Sequence, residues 1–168
     1  MPLLSARWLS TVSVKYGRQP VGRAVRVWFD LDTGQSLGLI VKVGAKSRLL
    51  PRQSARLTDK GLAISNKNDL LVLEKPARAE QVSRLSRHLL GAAVETEDGR
   101  RVGVLRDILI TDIDWRLAQL IVHEKSGDRL LSREVIVTLA DDVVTVRNGV
   151  LDVQLAPWLS AASFEMIH

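Results

Sequence analysis

The chain has 168 residues, 46% of them hydrophobic and 26% charged, which is typical of a folded globular protein and excludes an intrinsically disordered one. It contains no cysteine, which excludes disulfides, thiolate nucleophiles and cysteine-ligated metal centres. No secretory signal and no apolar run long enough to cross a bilayer is recognisable. We therefore expect a soluble, cytoplasmic protein without a membrane span.

The net charge of +5 is unevenly distributed along the chain. Residues 1–76 carry 13 Lys and Arg against 5 Asp and Glu, whereas residues 77–168 carry 11 against 14. The first half therefore suits an acidic protein, nucleic acid or an anionic surface, and the opposite signs would allow copies of the chain to form a homo-oligomer head to tail. The solvated faces of two diverged duplicates would give the same asymmetry.

The first half is predicted to form short strands, because its apolar residues recur with a period of two. Val25, Val27 and Phe29 alternate with Arg26 and Trp28, which predicts that the first three side chains point to the interior. Turn residues such as Gly and Asp separate the runs. The predicted strands lie near residues 11–15, 20–30, 36–43, 54–57, 61–65 and 70–73.

The second half repeats the first at an offset of 81 residues without a gap. Val21-Gly22 aligns with Val102-Gly103, Leu39-Ile40-Val41 with Leu120-Ile121-Val122, and Arg48-Leu49-Leu50 with Arg129-Leu130-Leu131. Several matches on one offset indicate a repeated structural unit, since such a unit must keep the spacing of its core positions.

We predict an all-β chain made of two tandem small antiparallel β-barrels joined by a short helical linker. Barrel closure would remove the exposed edges of so many short strands, and Val27 and Ile108 would fill two separate interiors. The predicted domains are residues 1–76 and 91–156. Residues 77–90 form the linker helix, and residues 157–168 form a tail or short helix.

The second unit resembles the PRC-barrel family. The resemblance lies in Leu89-Leu90-Gly91 before a strand, the acidic turn Glu97-Asp98-Gly99, the Val102-Gly103 pair and Asp107 in the long strand. The first unit departs from this pattern, with Trp8-Leu9-Ser10 at the opening step and Arg26 at the place of the strand Asp.

The family implies a small β-barrel used as an assembly module. Its known settings are the cytoplasmic domain of the photosynthetic reaction-centre H subunit and a ribosome-maturation protein that binds a small-subunit protein. Neither the transmembrane helix of the former nor the separate N-terminal barrel of the latter is visible in this sequence. Neither specific function is therefore expected.

No catalytic residue, metal site or cofactor is predicted. The three histidines, His88, His123 and His168, are too far apart in sequence to suggest a shared site. The carboxylates cluster in predicted turns, at residues 95–98, 112–114 and 141–142, where Asp usually caps its own backbone. No phosphate-binding glycine loop or nucleophile elbow is present.

The candidate interaction residues are basic residues of the first half and two apolar residues on the outer side of the long strands. If the basic residues converge, they would bind acidic side chains or phosphates. Trp28 and its repeat partner Leu109 would pack the two units together or meet another chain, unless the linker or the terminal helix covers them. The full set is Arg23, Arg26, Trp28, Lys42, Lys46, Arg48, Arg52, Arg56 and Leu109.

The leading functional hypothesis is a non-catalytic protein–protein interaction or scaffold protein with an unidentified protein partner. The alternative is an RNA- or ribosome-associated factor that uses the basic N-terminal unit, although exposed aromatic residues for base stacking are few. An enzyme with a site between the units is the least favoured reading.

Overall fold

The computed structural model describes residues 2–73, 89–140 and 142–150. Over these residues the chain is all-β, as predicted, and one of its sheets is a curled half-barrel. Nearly all of the predicted linker helix and the whole predicted tail lie outside the described residues. In the parts that the structure describes, no helix has the length and apolar character needed to cross a membrane.

The first half forms a sheet with the strand order β6-β7-β2-β3-β4-β5-β8. Its elements are β1 (Leu3–Ser5), α1 (Ala6–Leu9), β2 (Ser13–Tyr16), β3 (Gln19–Phe29), β4 (Ser36–Val43), β5 (Lys46–Pro51), β6 (Arg56–Thr58), β7 (Gly61–Ile64) and β8 (Leu71–Val72), with single 3-10 turns at Arg52–Ser54 and Lys67–Asp69. The predicted strands correspond to β2, β3, β4, β6, β7 and β8. Strand β5 was not predicted, because Lys46-Ser47-Arg48 lacks an apolar alternation.

The second half forms a sheet of the same order, β13-β14-β9-β10-β11-β12. Its elements are β9 (Ala93–Thr96), β10 (Arg101–Thr111), β11 (Leu117–Glu124), β12 (Gly127–Ser132), a 3-10 turn at Arg133–Val135, β13 (Ile136–Leu139) and β14 (Val143–Val146). Strand β1 also belongs to this sheet, since it pairs with the end of β10. This strand thus comes from the first half of the sequence and lies in the sheet of the second.

The spacing between corresponding strands is 81 residues only in the centre of each half, where β3 and β4 pair as β10 and β11 do. Val14 and Val94, each opposite the glycine of the next strand, are 80 residues apart. Leu62 and Val144, which pair with these two valines, are 82 apart. The gap-free alignment is therefore displaced by one residue at each end of the repeat.

The prediction of purely antiparallel strands was wrong for one pair in each half. Strand β2 runs parallel to β7, and β9 runs parallel to β14. In each pair, a strand from near the beginning of the half lies beside a strand from near the end of the same half. The hairpin that precedes the later strand reverses the chain so that both strands point the same way.

The prediction that Val25 points to the interior was also wrong. Strand β3 has a bulge between Ala24 and Arg26, and β10 has one at the corresponding place. A bulge adds one residue to a strand and reverses the alternation beyond it. Ala24 is fully buried as a result, while Val25 is 42% exposed.

The repeat predicts a separate interior for each half, whereas the buried apolar side chains of both halves form one connected cluster. Val27 and Ile108 occupy like positions in it, with exposures of 5% and 0%. The two sheets therefore pack against each other and share their hydrophobic core.

Reciprocal backbone hydrogen bonds join the two halves. The amide of Leu117 donates to the carbonyl of Gly34 (3.0 Å), and the amide of Ser36 donates to the carbonyl of Trp115 (3.1 Å). Gly34 and Trp115 both adopt left-handed backbone, with φ of 66° and 52°. Since each half contributes the same turn, the junction has approximate twofold symmetry.

The N-terminal segment is fastened to the second sheet by Asp107, which is 8% exposed. Its carboxylate accepts hydrogen bonds from the Ser5 hydroxyl (2.5 Å), the Arg7 amide (3.0 Å) and the Ile108 amide (2.7 Å). The Ser5 hydroxyl also accepts from the Trp8 amide and so caps α1. One buried carboxylate therefore holds both β1 and the start of α1 on β10.

We expect Gly103→Ala to lower the free energy of unfolding by about 3 kcal/mol, because the strands pack too closely for a methyl group. A Cβ at Gly103 would lie 2.3 Å from the carbonyl oxygen of His123 and 2.9 Å from Cγ1 of Val122. Urea denaturation measures the change. In the control Gly99→Ala, the new Cβ has open space around it, and only the left-handed backbone costs about 1 kcal/mol. Equal costs for the two variants would contradict the close approach.

Replacement of Asp107 by Ala should lower the free energy of unfolding by about 2–3 kcal/mol, since it leaves buried donors without an acceptor. Hydrogen exchange at the Arg7 amide should accelerate in the same variant. Asp98→Ala is the control, because the Asp98 carboxylate bonds only within its own turn, to Thr96 and Arg100. An unchanged exchange rate at Arg7 in the Asp107 variant would show that β1 is held by other contacts.

Candidate interaction face

A row of polar side chains crosses the outer face of the first sheet. Lys42 on β4 lies directly opposite Arg23 on β3 and opposite Ser47 on β5, and Ser13 on β2 lies opposite Arg23. Residues directly opposite each other on antiparallel strands share one face, with Cβ atoms about 4.5–5.5 Å apart. We call Ser13, Arg23, Lys42 and Ser47 the basic row. Every side chain in the row can donate a hydrogen bond, which suits an anion.

The two cations of the basic row have no counter-charge among the residues that the structure describes. Both Arg23 and Lys42 are exposed. Arg23 donates from Nε to the carbonyl of Thr11 (3.2 Å), and neither cation has a carboxylate partner within the described residues. Like charges directly across two strands destabilise a sheet. This pair therefore costs folding free energy that no described residue of the chain offsets.

The corresponding row in the second half is neutralised. His123 lies opposite Val104 and opposite Asp128, so an aspartate stands where the first half has Ser47. Oδ1 of Asp128 is 2.8 Å from Nδ1 of His123, and Oδ2 is paired with the Arg106 guanidinium. Asp128 is only 18% exposed at its side chain, so it is shielded between these two groups.

The two halves differ in their ion pairs over the rest of the described chain as well. The ion pairs found among the described residues all join residues of the second half. In the first half, acidic side chains serve the backbone instead: Asp30 accepts from the Asp32 and Thr33 amides, and Asp69 accepts from the Asn66 amide. The described part of the first half therefore carries its positive charge without an ion pair.

The remaining basic candidates do not all join the basic row. Arg26 lies on the same face in the next row, opposite Ile40, and is half-buried. Lys46 and Arg48 flank Ser47 on β5, so the strand alternation places them on the other face.

Two further candidates lie elsewhere. Arg52 is in the 3-10 turn after β5, where its Nε is buried without a hydrogen-bond partner. Arg56 lies on β6, four strands away from β4 in the sheet order. Neither residue adjoins the basic row.

Trp28 and Leu109 are each 5% exposed, so neither offers an accessible surface. Both stand at the ends of their strands where consecutive residues are buried, which shows that both faces of the sheet are covered there. Leu109 lies opposite Ser5 of β1. The indole N–H of Trp28 has no hydrogen-bond partner.

In two of the predicted acidic turns, an aspartate accepts a hydrogen bond from a threonine side chain. The hydroxyl of Thr96 donates to Asp98, and that of Thr111 donates to Asp114. These hydrogen bonds are the main reason that the pKa values of both aspartates lie below the ordinary value of 3.8. No group of three metal-ligating side chains occurs in the ranges 2–73, 89–140 and 142–150.

The sequence matches no protein-family model, and none of the curated proteins is significantly similar to it. The resemblance to the PRC-barrel family stays a prediction.

Sequence reasoning singled out the cations of this face and missed the two serines of the basic row and Asp128. The signal was available in the repeat, since an offset of 81 aligns Ser47 with Asp128 and Lys42 with His123. It was not recognised because β5 was not predicted as a strand.

Thr111→Val should raise the pKa of Asp114 toward 3.8, because the main stabilising hydrogen bond to its carboxylate is lost. The pKa of Asp114 is lowered in the folded protein, so its contribution to stability is present above the unfolded pKa and is lost as the pH falls through the folded pKa. In the variant the contribution should be smaller, and its loss should be complete at a higher pH, because the folded pKa lies closer to the unfolded one. NMR titration of both carboxylates measures the shift, and the pKa of Asp98 serves as the internal control. If the pKa of Asp114 did not change in the variant, the Arg116 amide and guanidinium would be the cause of its lowered value.

Proposed function

We propose that this chain is a non-catalytic interaction protein that binds an acidic protein partner through the basic row of its first half. The observation that carries the proposal is the like-charged pair of Arg23 and Lys42, which stands across two strands without a counter-ion among the described residues. A carboxylate of a partner would supply that counter-ion and would relieve the repulsion on binding.

We further propose that the two halves, residues 1–76 and 91–156, are tandem units of the PRC-barrel type that share one hydrophobic core and are joined by a helical linker over residues 77–90, with β1 of the first unit added to the second sheet. The shared strand order, the bulges at corresponding positions and the twofold junction support a common origin of the two halves. The cytoplasmic location expected from the sequence stays a prediction.

An acidic protein is favoured over RNA by the surroundings of the basic row. RNA-binding sheets usually stack bases on exposed aromatic side chains. The two aromatic residues that follow on the same strand, Trp28 and Phe29, are 5% and 2% exposed and are closed to a base. A partner that presents carboxylates needs only the exposed cations.

The test is calorimetric titration of the full chain with poly-glutamate and, separately, with polyuridylate. Wild type should bind poly-glutamate, and the double substitution Arg23→Glu with Lys42→Glu should weaken this binding at least tenfold, because attraction becomes repulsion. Arg18→Glu with Lys60→Glu is the matched control, since both residues are exposed in turns and the charge change is the same.

The control pair should stay within about threefold of wild type once net charge is screened at 0.15 M salt. If both double variants lost the same poly-glutamate affinity, net charge alone would explain the effect, and the proposal would be contradicted. Tighter binding of polyuridylate than of poly-glutamate, lost in the Arg23 and Lys42 variant, would favour the RNA-associated function instead.

A further inference from the structure

The second half contains a carboxylate at the place where the first half lacks one. Asp128 and Ser47 hold the same position on corresponding strands. Asp128 lies directly opposite His123, and Ser47 lies directly opposite Lys42. Both oxygens of Asp128 are occupied, one by His123 and the other by Arg106. The chain thus satisfies this position with its own anion in one half only.

We propose that the partner's carboxylate binds over Lys42, between Arg23 and Ser47, and there supplies the negative charge that Asp128 supplies in the second half. Ser47 is then the residue that keeps the first-half site open. This inference rests on the proposed function, which it deepens by naming the position of the ligand group and the residue that controls access to it.

The geometry favours this position over others on the face. Ser47 and Arg23 flank Lys42 on the two neighbouring strands, so an acidic group placed there meets two cations and one neutral hydroxyl donor. The next row offers only Arg26 beside Ile40 and the buried Leu49. A carboxylate there would have one cation and an apolar floor.

The second half also explains why this copy would not bind the same ligand. Val104 replaces Arg23, so one cation of the row is absent. Arg106 and His123 share the Asp128 carboxylate, so the remaining positive charge is used internally. A single acidic partner per chain is therefore expected.

The decisive variant is Ser47→Asp, which gives the first half the counter-ion of the second. It should weaken poly-glutamate binding at least tenfold while it raises the urea midpoint of unfolding, because the like-charged pair gains a counter-charge. Ser65→Asp is the matched control: Ser65 is exposed just after β7, outside the basic row, and carries the same charge change. It should stay within about threefold of wild type and leave the midpoint unchanged.

Ser47→Ala tests whether a change of the Ser47 side chain without an added charge is enough to weaken poly-glutamate binding. This variant removes the hydroxyl without adding charge and should bind poly-glutamate within about threefold of wild type. Equal binding by the Ser47→Asp and Ser65→Asp chains would overturn the inference and leave the proposed function standing. Failure of the wild-type chain to bind poly-glutamate would overturn both.

Discussion

The register of β4 against β3 and β5 is the constraint on which the rest of the candidate site depends. It places Arg23, Lys42 and Ser47 side by side on one face, although they come from three separate strands. A slip of one residue would turn Lys42 toward the interior and Val41 toward solvent. The burial of Val41, which is 0% exposed, therefore fixes the basic row in place.

The same register in the second half gives a different chemical result, because four substitutions change the charges. Val104, His123 and Asp128 stand for Arg23, Lys42 and Ser47, and Arg106 stands for Val25. In the second half the charged side chains pair with one another, whereas in the first half they carry no ion pair among the described residues. Two sheets of one connectivity thus differ in surface chemistry without a difference in strand order.

Much of the fold could be predicted from the sequence, because the apolar alternation and the 81-residue offset both reflect core positions. The bulge at Val25 could not, since an extra residue in a strand leaves no mark on composition and is detected only through the pairing of β3 with β4. The parallel pairing of β2 with β7 was hidden for a similar reason. It depends on contacts between strands far apart in sequence, which local pattern does not encode.

The charged residues of the candidate site could be predicted from the sequence, but their arrangement in space could not. Lys46, Ser47 and Arg48 are neighbours in sequence, and only the strand alternation of β5 separates Ser47 from the other two. Trp28 looked available on its face of β3, yet it is only 5% exposed. Accessibility at that point is a property of the tertiary packing.

The docking of β1 on β10 has a consequence for the order in which the molecule forms. The Ser5 hydroxyl and the Asp107 carboxylate are 102 residues apart in the chain, so β1 can pair with β10 only after the residues between them have been synthesised. Such long-range pairings raise the contact order and slow folding. Strand β1 therefore completes the second sheet only after β10 has been synthesised.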